Sequence, residues 1–597
     1  MEVVLVGPTE RSIPMERDAR GYHRATAEGV TPGARYLYHL DGTKQRPDPA
    51  SRCQPDGVHG PSQVTDTRAY DWQDGAWSPP PLERFVIYEL HIGTFTQEGT
   101  FDAVIPHLDT LKELGITAVE IMPVAQFPGE RNWGYDGVDL YAAQHSYGGP
   151  AGLQRLVDAC HQRGLAAILD VVYNHLGPEG NYLSEFGPYF TDHRTTLWGA
   201  ALNFDGAHNA EVRRFFIENA LQWLVDFHFD ALRLDAVHAI KDDSAYPFLR
   251  ELAETVHRRA EELGRPRYLI AENELENPLV ILPPEQGGYG MDAQWSDDFH
   301  HALHVLLTGE RSGYYAPFAG IGDLARAIRD SADFDTGHPS PRYPHRAALT
   351  HGQQFVVCAQ NHDQVGNRAA GDRLSQHLSY DALKLAAGAV ILSPYIPLLF
   401  MGEEYGEPAP FQFFTSHGDV DLIEAVRRGR RAEFAAFRWQ GEVPDPHDAT
   451  TFARSKLSHR AHEDGPHGTL WQFYHELLRL RRTLPPLASL DLNTLAVTYD
   501  EATSTLMLRR WAGAHRTLAL FNFSDVARSI AVDAPDAGSG AWAKALDSAD
   551  VRWRGTGSTI PAILPVRGDL SVTMQPTSFA LFTIYNRSLE GFKELND

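Results

Sequence analysis

The stretch Phe227–Ile240, FHFDALRLDAVHAI, decides how the rest of the chain is read. As a strand it alternates: Leu232 and Leu234 face one way, while Ala231, Arg233 and Asp235 face the other. An Arg and an Asp on the inward face exclude an ordinary core strand. Burying an unpaired charge costs too much, so the two must pair with each other or line a wet cavity. Asp235 comes where the strand ends, which is the end at which barrel enzymes place their chemistry. A purely structural Arg–Asp pair meets the same cost, and the stretch alone leaves both readings open.

Around it, buried strands alternate with amphipathic helices. Three strands precede it: FVIYELH (Phe85–His91), ITAVEIMPV (Ile116–Val124) and LAAILDVV (Leu165–Val172). Four follow: RYLIAEN, reaching Glu272 near its end; MDAQW, ending at Trp295; FVVCAQ, ending at Gln360; and YIPLLFMG, ending at Gly402. The first helix sets Val104, Leu108 and Leu111 on one face and stops at Gly115; the next carries Leu153, Leu156, Val157 and Cys160 and stops at Gly164. Further helices are expected at about 210–227 and 245–263. Eight such strands predict an α/β fold of the (β/α)8 TIM-barrel type rather than an open doubly wound sheet. The first strand is not followed by a Gly-rich phosphate fingerprint, so dinucleotide binding is disfavoured. A segment at about 173–208 is longer than compact domains usually carry without purpose.

The flanks have a different texture. Residues 1–75 hold short strand-like runs (EVVLV, GYHRATA, ARYLYHLDG) and read as an N-terminal, carbohydrate-binding-like β-sandwich. The chain starts inside a strand-like run, so this domain is expected either to lack strands or to begin mid-sandwich. WSPPP, Trp77–Pro81, reads as a stiff linker. The barrel is assigned to 76–485, and residues 486–597, with TLMLRRW, TLALFNF and SFALFTIY, to a C-terminal all-β domain.

Composition limits the partners. The chain has 597 residues, 43% hydrophobic and 22% charged, too many for one small core. A formal net charge of -25, from 78 acidic against 53 basic residues, disfavours nucleic acid or an anionic membrane surface. An aromatic content of 11% suits a hydroxyl-covered ligand such as a sugar. Cys53, Cys160 and Cys358 are scattered and without metal-like spacing, as expected of reduced thiols in a cytoplasmic protein. The N-terminus is too short an apolar run for a signal peptide, and the apolar tract Leu383–Gly402 is broken by Lys384, Pro394 and Pro397, so a helix plus a buried strand is expected there.

In a barrel, the C-terminal strand ends converge. That brings together Asp170, Asn174 and His175 after the third strand, Arg233 and Asp235 on the fourth, Glu272 on the fifth, and Asn361, His362 and Asp363 after the seventh. Retaining glycoside hydrolysis needs two carboxylates about 5–5.5 Å apart, one a nucleophile and one an acid. Arg233 favours the ionised form of Asp235, which suits a nucleophile. Partial burial and neighbouring acids raise the pKa of Glu272, which suits a proton donor. A metal site competes for such a cluster, but no His-x-x-x-His pair or dense carboxylate cage falls among these strand-end residues, and no metal or cofactor is expected.

DVVYNH (Asp170–His175), LRLDAVH (Leu232–His238), IAEN (Ile270–Asn273) and QNHD (Gln360–Asp363) resemble, in order and spacing, the four sequence regions of the alpha-amylase clan. The resemblance covers nearly the whole chain. It implies Asp235 as nucleophile, Glu272 as acid/base and Asp363 as the third carboxylate. It further implies that His175, Arg233 and His362 hydrogen-bond the sugar next to the cut, and that Tyr135 in NWGYDGVDLY stacks under it. Ala236, Val237 and His238, directly after the nucleophile position, are counted with the substrate-binding residues. Within the clan, PDPASRCQPDGVHG, YELHIGTFT, QWSDDFHHA, QNHDQVGNR and FMGEEYG are similar to the maltooligosyltrehalose trehalohydrolase family. By that likeness Asp297, Asp298, Phe299, His300 and His301, with Gln364, Val365, Gly366 and Asn367, line the substrate cleft. For the histidine pair, a helix N-terminus with Asp caps is an equally good account. Two departures matter: the family's leading domain usually starts with more strand than is present here, and where many amylases have a Lys-His pair after the nucleophile region this chain has His238 and Ala239, so product-side contacts do not carry over.

The resemblance implies a retaining hydrolase that cuts the alpha-1,4 bond beside the terminal trehalose of maltooligosyltrehalose, releasing trehalose and a maltooligosaccharide. Maltooligosyltrehalose and related alpha-glucans are the expected partners, and a maltooligosyltrehalose synthase is a functional one. A glucan branching enzyme of similar layout is the nearest rival, although its fourth region typically reads SHDE rather than NHDQ. A catalytically inactive glucan-binding homologue is the other, and the complete set of acids argues against it.

Overall fold

In the computed structural model the strand before Asp235 is the fourth of a closed barrel. The structure describes residues 1–585 apart from 8–9, 197, 275–276, 330–350, 437–442, 462, 533–540 and 566–569. Eight parallel strands form the barrel: β1 (Ile87–Leu90), β2 (Ala118–Ile121), β3 (Ala166–Val171), β4 (Ala231–Leu234), β5 (Tyr268–Ala271), β6 (Ala293–Trp295), β7 (Phe355–Cys358) and β8 (Ile396–Phe400). Each falls within one of the eight apolar runs of the sequence. Closure is made by β8 against β1, with Leu398 beside Ile87 and Phe400 beside Glu89.

The alternation expected of β4 is realised. Leu232 and Leu234 join the large core shared with the helices, whereas Ala231 joins a smaller cluster with Ile87, Ala118, Ile168, Ile270 and Val356. Two residues further along the same inward faces stand Glu89, Glu120, Asp170 and Arg233, all buried. The barrel is therefore aliphatic below and charged towards its C-terminal mouth.

Helices pack outside: α1 (Leu108–Leu114), α2 (Gly149–Gln162), α3 (Asn209–Leu221), α4 (Phe248–Leu263), α5 (Asp297–Thr308), α6 (Ile321–Arg329), α7 (Tyr380–Ile391), α8 (Val420–Ala436) and α9 (Pro466–Thr483). α1 stops because Gly115 takes a left-handed turn, φ 110°, and its N–H closes on the carbonyls of Leu111 and Lys112. The Leu383–Gly402 tract divides between α7 and β8, and among the described residues no helix is long and apolar enough to cross a membrane.

The long segment after β3 has structure of its own: a short helix, Leu183–Phe186, and an antiparallel hairpin, Phe190–Thr196 with Gly199–Leu202. Against it lies the N-terminal sheet of five strands, accompanied among the described residues by a two-stranded ribbon rather than a full second layer. Arg46 joins the two, bridging to Glu185 at 3.0 Å and lying 4.4 Å over the Tyr182 ring. The WSPPP segment is anchored under the barrel: Trp77 Nε1 donates to Asp230 at 3.0 Å, and His161 bridges Asp230 and Asp74, both at 3.0 Å. At the other end a six-stranded sheet and a ribbon follow α9. Lys384 on α7 reaches into this part, donating to the carbonyls of Ser548 and Trp553.

Candidate active site

Arg233 is the centre of the barrel mouth. Its side chain is fully buried, and its guanidinium lies 4.4 Å over the ring of Trp295 from β6. Nη1 donates to both oxygens of Asp170, at 2.9 and 2.8 Å, and to Asp235 Oδ1 at 2.9 Å. Nη2 lies 2.9 Å from Glu272 Oε2, an ion pair whose angle falls outside hydrogen-bond geometry. One guanidinium thus touches the carboxylates from the ends of β3, β4 and β5. The second oxygen of Asp235 accepts from Asn174 Nδ2 at 2.6 Å. Glu272 Oε2 accepts a hydrogen bond from the backbone N–H of Ala236, at 2.7 Å. Ala236 holds a left-handed conformation, φ 39°, a strained geometry for a residue with a Cβ that aims this N–H.

Asp363 follows β7 on the short helix His362–Gly366, which Asn361 caps by accepting from the Gln364 N–H at 2.9 Å. Asn367 Nδ2 donates to Asp363 Oδ1 at 3.1 Å. His362 Nε2 lies 3.4 Å from Asp363 Oδ2 and 2.7 Å from Tyr135 Oη, and the Tyr135 hydroxyl donates to Asp170 at 2.6 Å. Asp235, Glu272 and Asp363 keep 11%, 16% and 33% of their side chains exposed, so all three reach the cleft. Arg233 and His362 are buried completely, with both terminal nitrogens of the guanidinium turned to carboxylates and the ring nitrogens of His362 turned to carboxylates and the Tyr135 hydroxyl.

The acids differ in how they hold protons. Burial is the largest influence on Glu272 and pushes it well above the usual carboxylate range; Arg233 opposes this, and Asp235, Asp363 and Asp297 reinforce it. Burial likewise lifts Asp170 to about 6, against Arg233, and Asp297 to about 7, with Asp363 and Asp298 adding to it. Asp363 is buried too, but the His362 charge and hydrogen bond outweigh that and hold it below the usual range.

The remaining expected site residues divide. His175 lies beside Tyr135, its Nε2 3.0 Å from the Tyr135 carbonyl, and stacks on Trp198 with centroids 4.8 Å apart. The Val237 N–H closes on the Glu272 carbonyl at 3.0 Å, and His238 faces Glu274 at 3.3 Å. Asp297 and Asp298 open α5 and are half-buried, as is His301. Phe299 and Val365 are buried in the apolar core, and His300 turns to Tyr315 at 3.2 Å. Gly366 is packed against Trp133, where a Cβ would meet the ring at 2.1 Å.

Four residues here went unnoticed in the sequence. Trp198, 47% exposed, sits at the hairpin turn; Trp295 lies under Arg233; Glu89 and Glu120 point inward beneath the mouth. An acid at alternate register in an otherwise apolar strand, as in IYEL and AVEI, is the signal for the last two.

A closed parallel barrel with carboxylates gathered on one arginine at its C-terminal mouth is the architecture of alpha-amylase-type glycoside hydrolases. Residues 60–196 match the family model for the alpha amylase catalytic domain. The chain is 49% identical over 476 residues to malto-oligosyltrehalose trehalohydrolase of Saccharolobus solfataricus, covering 78% of this chain and 81% of that one. It is 47% identical over 507 residues to the enzyme of the same name from Rhizobium sp. strain M-11, covering 84% of each. A solved structure from Salmonella typhimurium, described as a candidate alpha amylase, superposes with a TM-score of 0.85 at 36% identity, over 98% of this chain and 96% of that one. The chain belongs to the malto-oligosyltrehalose trehalohydrolase family.

Proposed function

We propose that this chain hydrolyses the alpha-1,4 bond joining a maltooligosyl chain to a terminal trehalose, with retention of configuration. Glu272 protonates the bridging oxygen while Asp235 attacks the anomeric carbon, and free trehalose leaves. Glu272, now a carboxylate, takes a proton from water, which attacks the glycosyl–Asp235 ester and frees the maltooligosaccharide. The observation that carries this assignment is the pair of contrasting environments on one guanidinium. Each oxygen of Asp235 accepts a hydrogen bond, from Arg233 and from Asn174, whereas burial among acids pushes Glu272 well above the usual carboxylate range.

Asp363, His175 and the half-buried ring of Tyr135 are assigned to the sugar at the cut, and Trp198 to a neighbouring one by ring stacking. Arg233 and His362 act by setting the carboxylates and Tyr135. His238, Asp297, Asp298, His301, Gln364 and Asn367 remain the cleft-lining residues; Ala236 and Val237 contribute backbone rather than side chain. Trehalose selectivity is supported by the relatives' names. The division into 1–75, 76–485 and 486–597 and a cytoplasmic location, the latter supported by three unpaired cysteines, belong to the same proposal, as does a synthase that makes the substrate.

The test compares maltooligosyltrehalose with plain maltooligosaccharide, measuring free trehalose, new branch points and reducing ends. Trehalose release should dominate; predominant branching or no turnover refutes the assignment. Asp235→Ala should lower kcat about 10⁴-fold with the melting temperature retained, and substantial residual turnover would exclude Asp235 as nucleophile.

A further inference from the structure

Glu89 takes no part in the chemistry just described, yet both its oxygens are engaged. Oε2 accepts the backbone N–H of His362 at 2.9 Å, and Oε1 faces His362 Nδ1 at 2.5 Å. On the opposite edge of the ring, Nε2 faces Tyr135 Oη and Asp363 Oδ2. The Tyr135 hydroxyl has one proton, and it goes to Asp170, whose two oxygens also accept from Arg233. Towards His362 the hydroxyl can therefore only accept. Every group around the imidazole is an acceptor, so both ring nitrogens must carry hydrogen.

We propose that Glu89 is a positioning residue for the hydrolysis: it fixes His362 as a doubly protonated ring whose Nε2–H orients Tyr135 and Asp363 around the sugar that is cut. The inference rests on the retaining reading above. The other ionisable groups facing His362 do not substitute for Glu89. Glu120 lies beside it in register across β1 and β2, but both its oxygens are buried without a hydrogen-bond partner. Burial, with Glu89 adding to it, pushes such a carboxyl well above the usual carboxylate range. His91 is committed to Thr94 at 3.0 Å and the Asn132 carbonyl at 2.9 Å. Asp170 and Arg233 are paired with each other. Among the described residues Glu89 alone reaches Nδ1.

Glu89→Gln tests this. An amide offers one acceptor where two donors converge and has no charge, so His362 should lose its Nδ1 proton near neutral pH. We expect kcat to fall about 10²-fold at pH 7 and to recover at least several-fold, relative to wild type at the same pH, as the pH is lowered to 5. Glu89→Asp, which keeps the charge, should retain more activity than the Gln variant. A strut that merely holds the chain predicts a loss independent of pH, and that outcome overturns the proposal. Independently of turnover, ¹⁵N-histidine spectra of the wild-type protein, with His362 assigned by its loss in His362→Gln, should show both ring nitrogens protonated from pH 5 to 9. A neutral His362 at pH 7 overturns the proposal even if the Gln variant fails to fold. Trehalose release by wild type tests the underlying reaction separately.

Discussion

Asp297 shows how far a single neighbour sets the chemistry. It opens α5 at the end of β6, buried enough to be lifted to about 7, and its charge adds to the acids that keep Glu272 protonated. Asparagine at this position keeps the shape and removes the charge. With one like charge fewer, Glu272 releases its proton at lower pH. A general acid loses activity as pH rises through its pKa, so the alkaline limb of kcat/KM should move towards acid in Asp297→Asn, by roughly half a unit to one unit. Profiles from pH 4 to 9 check this, and a limb that stays in place or moves alkaline contradicts the assignment of Glu272. Arg233 is the counterweight: it touches Asp235, Glu272 and Asp170 at once, so replacing it would disturb all three acids and separate no roles.

The short helix His362–Gly366 carries two of the site's charged groups and rests on Trp133. Gly366 has no room for a side chain because a Cβ would sit 2.1 Å from the indole. Gly366→Ala must therefore displace either the helix or the ring, and Trp133 is fixed by its Nε1 donating to the Gln412 carbonyl at 2.9 Å. Expected are a destabilisation of about 1–3 kcal/mol and a larger fractional loss of kcat than of stability, seen by denaturation and steady-state kinetics side by side. Unchanged kcat would mean that this seat does not position Asp363. The strands were legible in the sequence because alternation within short runs is a local signal: Leu232 and Leu234 against Arg233 and Asp235 suffice to orient β4. The acids of β4, β5 and the turn after β7 were legible because each ends an apolar run. What stayed hidden depends on neighbours distant in the chain. Glu89 matters through His362, 273 residues away, and Trp295 through Arg233. The hairpin carrying Trp198 lies in a polar segment whose pairing shifts register, so no clean period announces it. Phe299 and Val365 were expected in the cleft from the blocks that contain them, but their helical phase turns them to the core.

Proton uptake on folding should shape the stability of the entire molecule. Under the barrel, His161 bridges Asp74 and Asp230; burial opposes its charge, but the two acids prevail and raise its pKa. Beside β8, burial lifts Glu403 to about 7 and Glu404 to about 8, where Tyr474 and Tyr88 donate to them. These three groups hold protons more tightly folded than unfolded. Their stabilisation is complete below the unfolded values, about 6.5 for His and 4.3 for Glu, and is lost as pH rises through the folded ones. Glu310 and Asp372 work in the opposite sense. The His304 hydrogen bond, with Arg368, brings Glu310 to about 2; His377 and Arg368, against burial, do the same for Asp372. Their contribution is present above the ordinary carboxylate range and is lost as pH falls towards 2. Growing negative charge, -25 at pH 7, adds self-repulsion on the alkaline side. The melting temperature should therefore peak near pH 5 and fall by several degrees towards pH 8.5. Glu403→Gln with Glu404→Gln replaces two of these three proton-binding groups by neutral ones and should flatten that decline. Calorimetric scans of wild type and the double variant between pH 4.5 and 8.5 decide the matter: a wild-type curve that rises towards pH 8.5, or a double variant with the wild-type slope, would remove these two carboxyls from the account.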